Sequence, residues 1–189
     1  MNATLAMPET AVSTWKIDAA HSVAEFKVKH MMISNVKGRF TGVSGTLHFD
    51  ENNLANSRVE ASIDAGSIST GDAQRDGHLK SADFFDVEKY PTLAFRSTRV
   101  VPEGEGEFKA TGELTVHGAT REVTFVVEGP TAPAKDPWGN TRVALSATTK
   151  INRRDFGLTW NAALETGGIL VGDEVTITLE VQFVKANRG

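Results

Sequence analysis

Two short polar clusters are the places where this chain could do acid–base chemistry. Arg75, Asp76 and His78 fall within about one helical turn, and Arg153, Arg154 and Asp155 run consecutively. A carboxylate and an imidazole held beside a guanidinium in a cleft can move protons near neutral pH. The same groups can instead pair with one another and cap backbone ends, or hydrogen-bond the polar end of a mostly apolar ligand. Their types and spacing leave all three uses open. His21, His30, His48, His78 and His117 stand singly, without the HxH or HExxH spacing that sets two imidazoles on one metal. There is no GxSxG elbow and no dinucleotide fingerprint, and TGGILVGD has glycines without the lysine and strand–helix context of a phosphate loop. With no cysteine in the chain, disulfides, thiolate zinc sites and cysteine nucleophiles are excluded. The expectation is no catalytic constellation and no metal site.

The elements that must position these clusters are mostly strands. A two-residue beat of apolar and polar side chains runs along most of the chain, the period of a half-buried strand. Trp15 and Ile17 flank Lys16 in a short extended start; Ala24, Phe26 and Val28 alternate with Glu25, Lys27 and Lys29. After the glycine-punctuated GRFTGVSG, Leu47 and Phe49 flank His48, and Val59, Ala61, Ile63 and Ala65 alternate with polar neighbours. Leu93 and Phe95 begin a further strand, and the residues around His117-Gly118 make 107–128 a β-hairpin. Val143, Leu145, Ala147 and Ile151 mark a seventh strand, and Val175 to Phe183 an eighth.

The beat stops twice. Within 70–95, Asp72 can cap a short helix carrying Arg75, His78 and Leu79, and Ser81 and Asp83 can cap a second turn carrying Phe84 and Phe85. Pro91 forbids helix and returns the chain to strand. A second insert, also expected to hold a short helix, spans 152–173. The reading is all-β, with short helical inserts near 70–90 and 152–173.

Eight one-sided strands with short connections have two solutions, a closed antiparallel barrel or a two-sheet sandwich. The even count favours closure, which also removes exposed strand edges. An eight-stranded barrel is filled by side chains or holds one small ligand. Small residues on the inward parity, Ala61, Ala65, Ala110, Gly112, Gly129 and Ala147, either leave room along the axis or accommodate aromatics opposite. Parity nominates Phe26, Val28, Leu47, Phe49, Ile63, Phe95, Leu114, Phe125 and Leu145 as lining; position in the inserts nominates Leu79, Phe84, Phe85 and Phe156. Met31 and Met32 suit an irregular apolar ligand or an ordinary core, and Trp138 and Trp160 are loop anchors or pocket walls.

At 189 residues the chain suits one domain, placed at 14–186 after a tail through residue 13 expected to be disordered. The net charge of −4, without a basic run, argues against a nucleic-acid partner. No stretch approaches the roughly 20 apolar residues of a membrane span, so no stable membrane insertion is expected. The start MNATLAMPETAVST lacks the basic and apolar regions of a secretory signal. The chain as given therefore reads as cytoplasmic, or as periplasmic or secreted if its N-terminus was processed.

Five stretches in order, WKIDAAHSVAEFKVKHM, RDGHLKSADFFDVEKYPTLAF, GELTVHGATREVTF, INRRDFGLTW and VGDEVTITLEVQF, carry a likeness to a known family. Together they resemble the YceI-like family of polyisoprenoid-binding proteins over about 14–185. The resemblance implies an eight-stranded lipocalin-like barrel, often a homodimer, whose apolar lumen takes up a polyisoprenoid, a quinone tail or another long-chain amphiphile. It implies no catalytic residues and no cofactor beyond such a bound lipid. Under it, binding, transport or storage of the lipid is the expected function, and Arg75, Asp76, His78, Arg154 and Asp155 are candidates for head-group or structural roles. The rivals are a small barrel enzyme acting on an apolar substrate, and a stress-related structural protein with a filled core.

Overall fold

The computed structural model describes residues 12–165 and 167–186. Strands β1 (Val12–Ile17), β2 (Val23–His30), β3 (Ser34–Phe40), β4 (Val43–Asp50) and β5 (Arg58–Asp64) precede the helix α1 (Ala73–Lys80). After it come β6 (Thr92–Pro102), β7 (Glu107–Val116), β8 (Ala119–Glu128), the two-residue β9 (Ala134–Lys135), β10 (Thr141–Asn152) and β11 (Val171–Lys185). All pairings of these strands are antiparallel, and the ladder β11-β1-β4-β5-β6-β7-β8-β10 closes on itself where Ala147 of β10 faces Leu179 of β11. This is the expected eight-stranded antiparallel barrel.

The ring has eight positions although the described residues form eleven strands. β1 and β2 pair successively along the same side of β11, through Lys16 with Val184 and Lys27 with Thr176. Between them a 3-10 turn at Ala19–His21 breaks the strand, capped by Asp18, which accepts the Ala20 N–H at 3.0 Å. β4 and β3 repeat this arrangement against β1 and β2. β3 is absent from the sequence reading because SNVKGRF has too few apolar residues to show alternation. Its Gly38 faces Phe26, and a Cβ there would run into the phenyl ring. Here a small residue accommodates an aromatic, as does Gly112 beneath Phe95.

Because, among the described residues, the far edge of β3 meets only the Arg39–Ser69 bridge, the β2–β3 hairpin projects past the closed ring at one end, called the lower end. The same end carries α1, started by Asp72 accepting the Arg75 N–H at 3.0 Å, and the turn in which Phe84 N–H bonds Ser81 O at 3.0 Å. The second insert forms a 3-10 turn at Arg153–Phe156, closed by Gly157 at φ 74, and then a loop with one bridge, Ala163 to Ile169. β1 begins at Val12, so Val12 and Ser13 are paired with Asp50 and Phe49 rather than left in a tail. Residues 1–11 of the expected tail lie outside the described residues. Buried Trp15, Leu47, Val143, Val181 and Phe183 pack together near the upper end, and a larger cluster including Phe40, Phe125 and Phe156 occupies the remainder. Among the described residues no helix is long and apolar enough to cross a membrane.

Candidate functional site: an apolar cavity along the barrel axis

The inward side chains do not fill the barrel. A cavity of about 370 Å³ runs between the two ends, within the roughly 300–1,000 Å³ range of ligand pockets. Its wall is almost wholly hydrocarbon. Near the upper end it meets Phe49, Leu54, Val59, Phe108 and Pro130, and near the lower end Val28, Leu79, Phe84, Trp160 and Leu170. Ala61, Ala110 and Ala147 contribute short side chains to the wall. These alanines leave the space that larger residues at the same positions would take.

Most residues nominated from the sequence come together here. Phe26, Val28, Leu47, Phe49, Ile63, Leu79, Phe84, Phe85, Phe95, Leu114, Phe125, Leu145 and Trp160 all line the cavity. Met31 and Met32 do not. Both have positive φ, 52° and 64°, in the turn between β2 and β3, which turns them outward to 43% and 63% exposure. Phe156 is also displaced from the wall. It is 2% exposed and packs in the core, because the 3-10 turn reorients the chain after β10. Trp138 is 80% exposed and forms no part of the wall. Wall residues absent from the nominations include Phe40, hidden with the unrecognised β3, and Leu158 and Leu170 in the second insert. Ile177 and Leu179 also line the cavity; their parity in β11 would have found them.

The nominated polar residues separate by environment. Arg75 and His78 reach the cavity wall, whereas Asp76, Arg154 and Asp155 do not. Arg75 donates from Nε to Thr70 Oγ1 at 2.7 Å and from Nη2 to Thr70 O at 2.9 Å. Asp76 Oδ1 accepts from Thr70 N–H at 2.8 Å and Thr70 Oγ1 at 2.6 Å. These bonds fasten α1 to the segment after β5. His78 Nε2 lies 2.9 Å from Asp83 Oδ2, and its ring stands edge-on to Phe84 and Trp160 at centroid distances of 5.1 and 4.7 Å. His78 thus joins the polar helix to the aromatic lower wall. Among the described residues no three His, Asp or Glu side chains are grouped to hold a metal ion.

In the second cluster the buried member is Arg153, not Arg154 or Asp155. Arg154 is exposed and pairs with Asp173 at 2.9 Å, and Asp155 is exposed at the turn. Arg153 is 3% exposed, lines the cavity, and donates to the carbonyls of Leu158 at 2.6 Å, Gly172 at 2.8 Å and Val171 at 3.3 Å. The pairing of β11 with β2 shifts register between Val171 and Val175, so this stretch lacks a regular ladder. Arg153 and Asn161, which donates to Val171 O at 2.7 Å, supply the missing partners. Burial lowers the Arg153 pKa below the usual guanidinium value, against the opposing pull of Asp173. Arg153 shares the inward parity of Leu145, Ala147 and Ile151, the signal by which it could have been chosen.

A closed antiparallel barrel around an elongated apolar cavity, with a short helix packed at one end, defines the class. The chain belongs to the YceI-like family, whose domain matches residues 15–183. A UPF0312 protein of Vibrio parahaemolyticus is 42% identical over 139 residues, covering 74% of this chain and 73% of that protein. The crystal structure of BcnA from Burkholderia cenocepacia is similar with a TM-score of 0.74 and 26% identity, over 88% of this chain and 98% of BcnA. A polyisoprenoid-binding domain from Saccharophagus degradans shares the fold with a TM-score of 0.65 at 16% identity, over 93% of this chain and 99% of that domain.

Proposed function

We propose that this protein is a non-enzymatic binder of a polyisoprenoid or similar long-chain lipid, which it holds along the barrel axis for transport or storage. The observation that carries the reading is the near-absence of polar surface in a cavity lined from one end of the barrel to the other. Each buried methylene contributes roughly 0.8 kcal/mol. About fifteen of them contribute roughly 12 kcal/mol, enough to offset much of the association cost of about 4–15 kcal/mol. Affinity then follows chain length and shape, with few polar contacts needed. In this reading the head group lies beside Arg75 and His78, polar residues of the lower wall. Arg75 already bonds Thr70 and His78 bonds Asp83, which hold the two side chains in place at that wall. A domain of the same fold from Saccharophagus degradans is named for polyisoprenoid binding, which supports the ligand class.

The test is organic extraction of purified protein followed by mass spectrometry, with delipidated protein titrated with a long-chain polyprenol and a polyprenyl quinone. Co-purifying isoprenoid, or saturable uptake at one chain per barrel, is the expected result. Absence of both co-purifying lipid and uptake of any long-chain amphiphile would refute it.

A further inference from the structure

The β2–β3 hairpin carries a combination of features that the cavity does not use. Its turn puts Met31, Met32 and Ile33 in succession at 43%, 63% and 80% exposure, and Ile169 of the neighbouring loop is 37% exposed. Met31 and Met32 both adopt left-handed backbone, a region that non-glycine residues seldom occupy. The turn is fixed by Ile33 N–H bonding His30 O at 3.2 Å and Met31 N–H bonding Leu170 O at 2.8 Å. An apolar tip is thus held outward by an ordered turn.

Behind the tip the outer face of the hairpin is basic, on a chain whose net charge is −4. Lys27, Lys29, Lys37 and Arg39 are exposed on this face with Glu25 as the one acid. Lys27 faces Lys37 directly across the ladder, an arrangement that destabilises a sheet. Among the described residues, none of the four basic side chains has a carboxylate within 4.0 Å. Uncompensated like charges beside exposed Met and Ile match the two terms of interfacial membrane binding, apolar insertion and attraction to anionic lipid.

We infer that the β2–β3 tip docks the protein on an anionic bilayer, inserting Met31, Met32 and Ile33 among the head groups. At about 3.4 Å per residue, Lys29 lies about 7 Å and Lys27 and Lys37 about 14 Å behind the tip. Insertion by roughly 5–10 Å leaves Lys27 and Lys37 about 4–9 Å from the surface, on the order of one Debye length of about 8 Å. Lys29, His30 and Val171, next to the tip, also border the cavity, so docking brings its lower end to the bilayer. The inference extends the lipid-binding reading but uses a surface outside the cavity. Partition onto vesicles is measured without loading the barrel, so either reading can fail alone.

The test is co-sedimentation with vesicles of phosphatidylcholine, with and without 30 mol% phosphatidylglycerol. Wild type is expected on the anionic vesicles and not on the neutral ones. Each basic residue near an anionic surface contributes about fivefold, so Lys27→Gln with Lys37→Gln should weaken partition about 25-fold. Met32→Ser with Ile33→Ser should weaken it at least tenfold, with circular dichroism confirming the fold of both variants. Because the chain has no cysteine, Met32→Cys and Glu51→Cys can each carry an environment-sensitive fluorophore. A blue shift on anionic vesicles at position 32 and none at position 51, on the opposite end, supports docking by this tip. Equal partition of wild type onto both vesicle types, or an unshifted probe at 32, overturns the proposal. A shift at 32 that needs only higher protein concentration and no vesicles also overturns it, assigning the tip to a second copy of the chain.

Discussion

Arg153 donates through Nη1 to the carbonyl of Leu158 at 2.6 Å, from a position only 3% exposed. That bond joins the 3-10 turn after β10 to the insert that follows it, while the bonds to Gly172 and Val171 tie the same guanidinium to the irregular start of β11. Replacing Arg153 by Met keeps the apolar stem but strands the carbonyls of Leu158 and Gly172, while Val171 O keeps its bond from Asn161. A buried polar group left unpaired costs about 1–3 kcal/mol, so a loss of about 3 kcal/mol is expected. For a chain of this size each kcal/mol lowers Tm by about 2–4 °C, so Tm should fall by about 6–12 °C. Arg154→Ala, which breaks an exposed pair with Asp173, should cost under about 1 kcal/mol. Thermal and urea unfolding of the two variants measure the contrast, and equal losses would contradict the structural role given to Arg153.

The neighbours Arg153 and Arg154 also show how far the sequence could be read. Alternation reports which face a strand residue takes, so the parity of β2, β5, β7, β8, β10 and β11 was visible and most of the lining followed. It carries no information more than a residue beyond the strand end. Met31 and Met32 look like lining residues until a turn with positive φ turns them out, and Phe156 looks like wall until the 3-10 turn sinks it into the core. β3 was hidden for a different reason: its Gly38 takes an inward position that only Phe26, a residue of another strand, explains. Closure itself was legible only as a preference, since register between distant strands is not written in local pattern.

The contact between Phe26 and Gly38 makes a prediction of its own. A methyl group at residue 38 would meet the Phe26 ring and also Thr70 Cγ2 at 2.9 Å, so Gly38→Ala must push the ring toward the cavity or part the two strands. Overpacking of this kind costs about 1–3 kcal/mol. Unfolding should show that loss. The companion change Phe26→Leu removes the clash with the ring, though not the contact with Thr70, and the double variant should lose less than the sum of the single losses, a coupling read by a double-mutant cycle.

Acid stability should depend on one guanidinium outside the barrel. Arg142 donates to Asp18 at 2.6 Å and to Asp136 at 2.7 Å, joining the turn after β1 to the β9–β10 turn. The bonds from Arg142 and then His21 lower Asp18 from 3.8 to about 2. For Asp136 burial pulls upward, but bonds from Arg142, Asn140 and Trp138 outweigh it and leave the group at about 2. Both carboxylates are thus more acidic folded than unfolded. Their contribution is present above the unfolded value near 4 and disappears as pH falls toward 2. Arg142→Met should be less stable than wild type at pH 7, and the two Tm curves should converge between pH 4 and pH 2. Curves that stay parallel through that window would remove the cluster from the account of acid stability.

Ala61 offers the most direct probe of the cavity. It faces the lumen from β5, opposite Phe95 in the β5–β6 ladder, and is one of the short side chains that keep the axis free. A tryptophan there adds an indole to a space of about 370 Å³ without changing charge or strand pairing. Because a long apolar guest is held through its whole length, an obstruction at one level removes every methylene beyond it. Five displaced methylenes at roughly 0.8 kcal/mol each amount to roughly 4 kcal/mol, or about a thousandfold in Kd. Ala61→Trp should therefore abolish measurable uptake of a long polyprenol while sparing a short one, with circular dichroism unchanged. Loss of both ligands alike would instead mean that the substitution had distorted the barrel, and undiminished uptake of the long chain would mean that the guest does not pass Ala61.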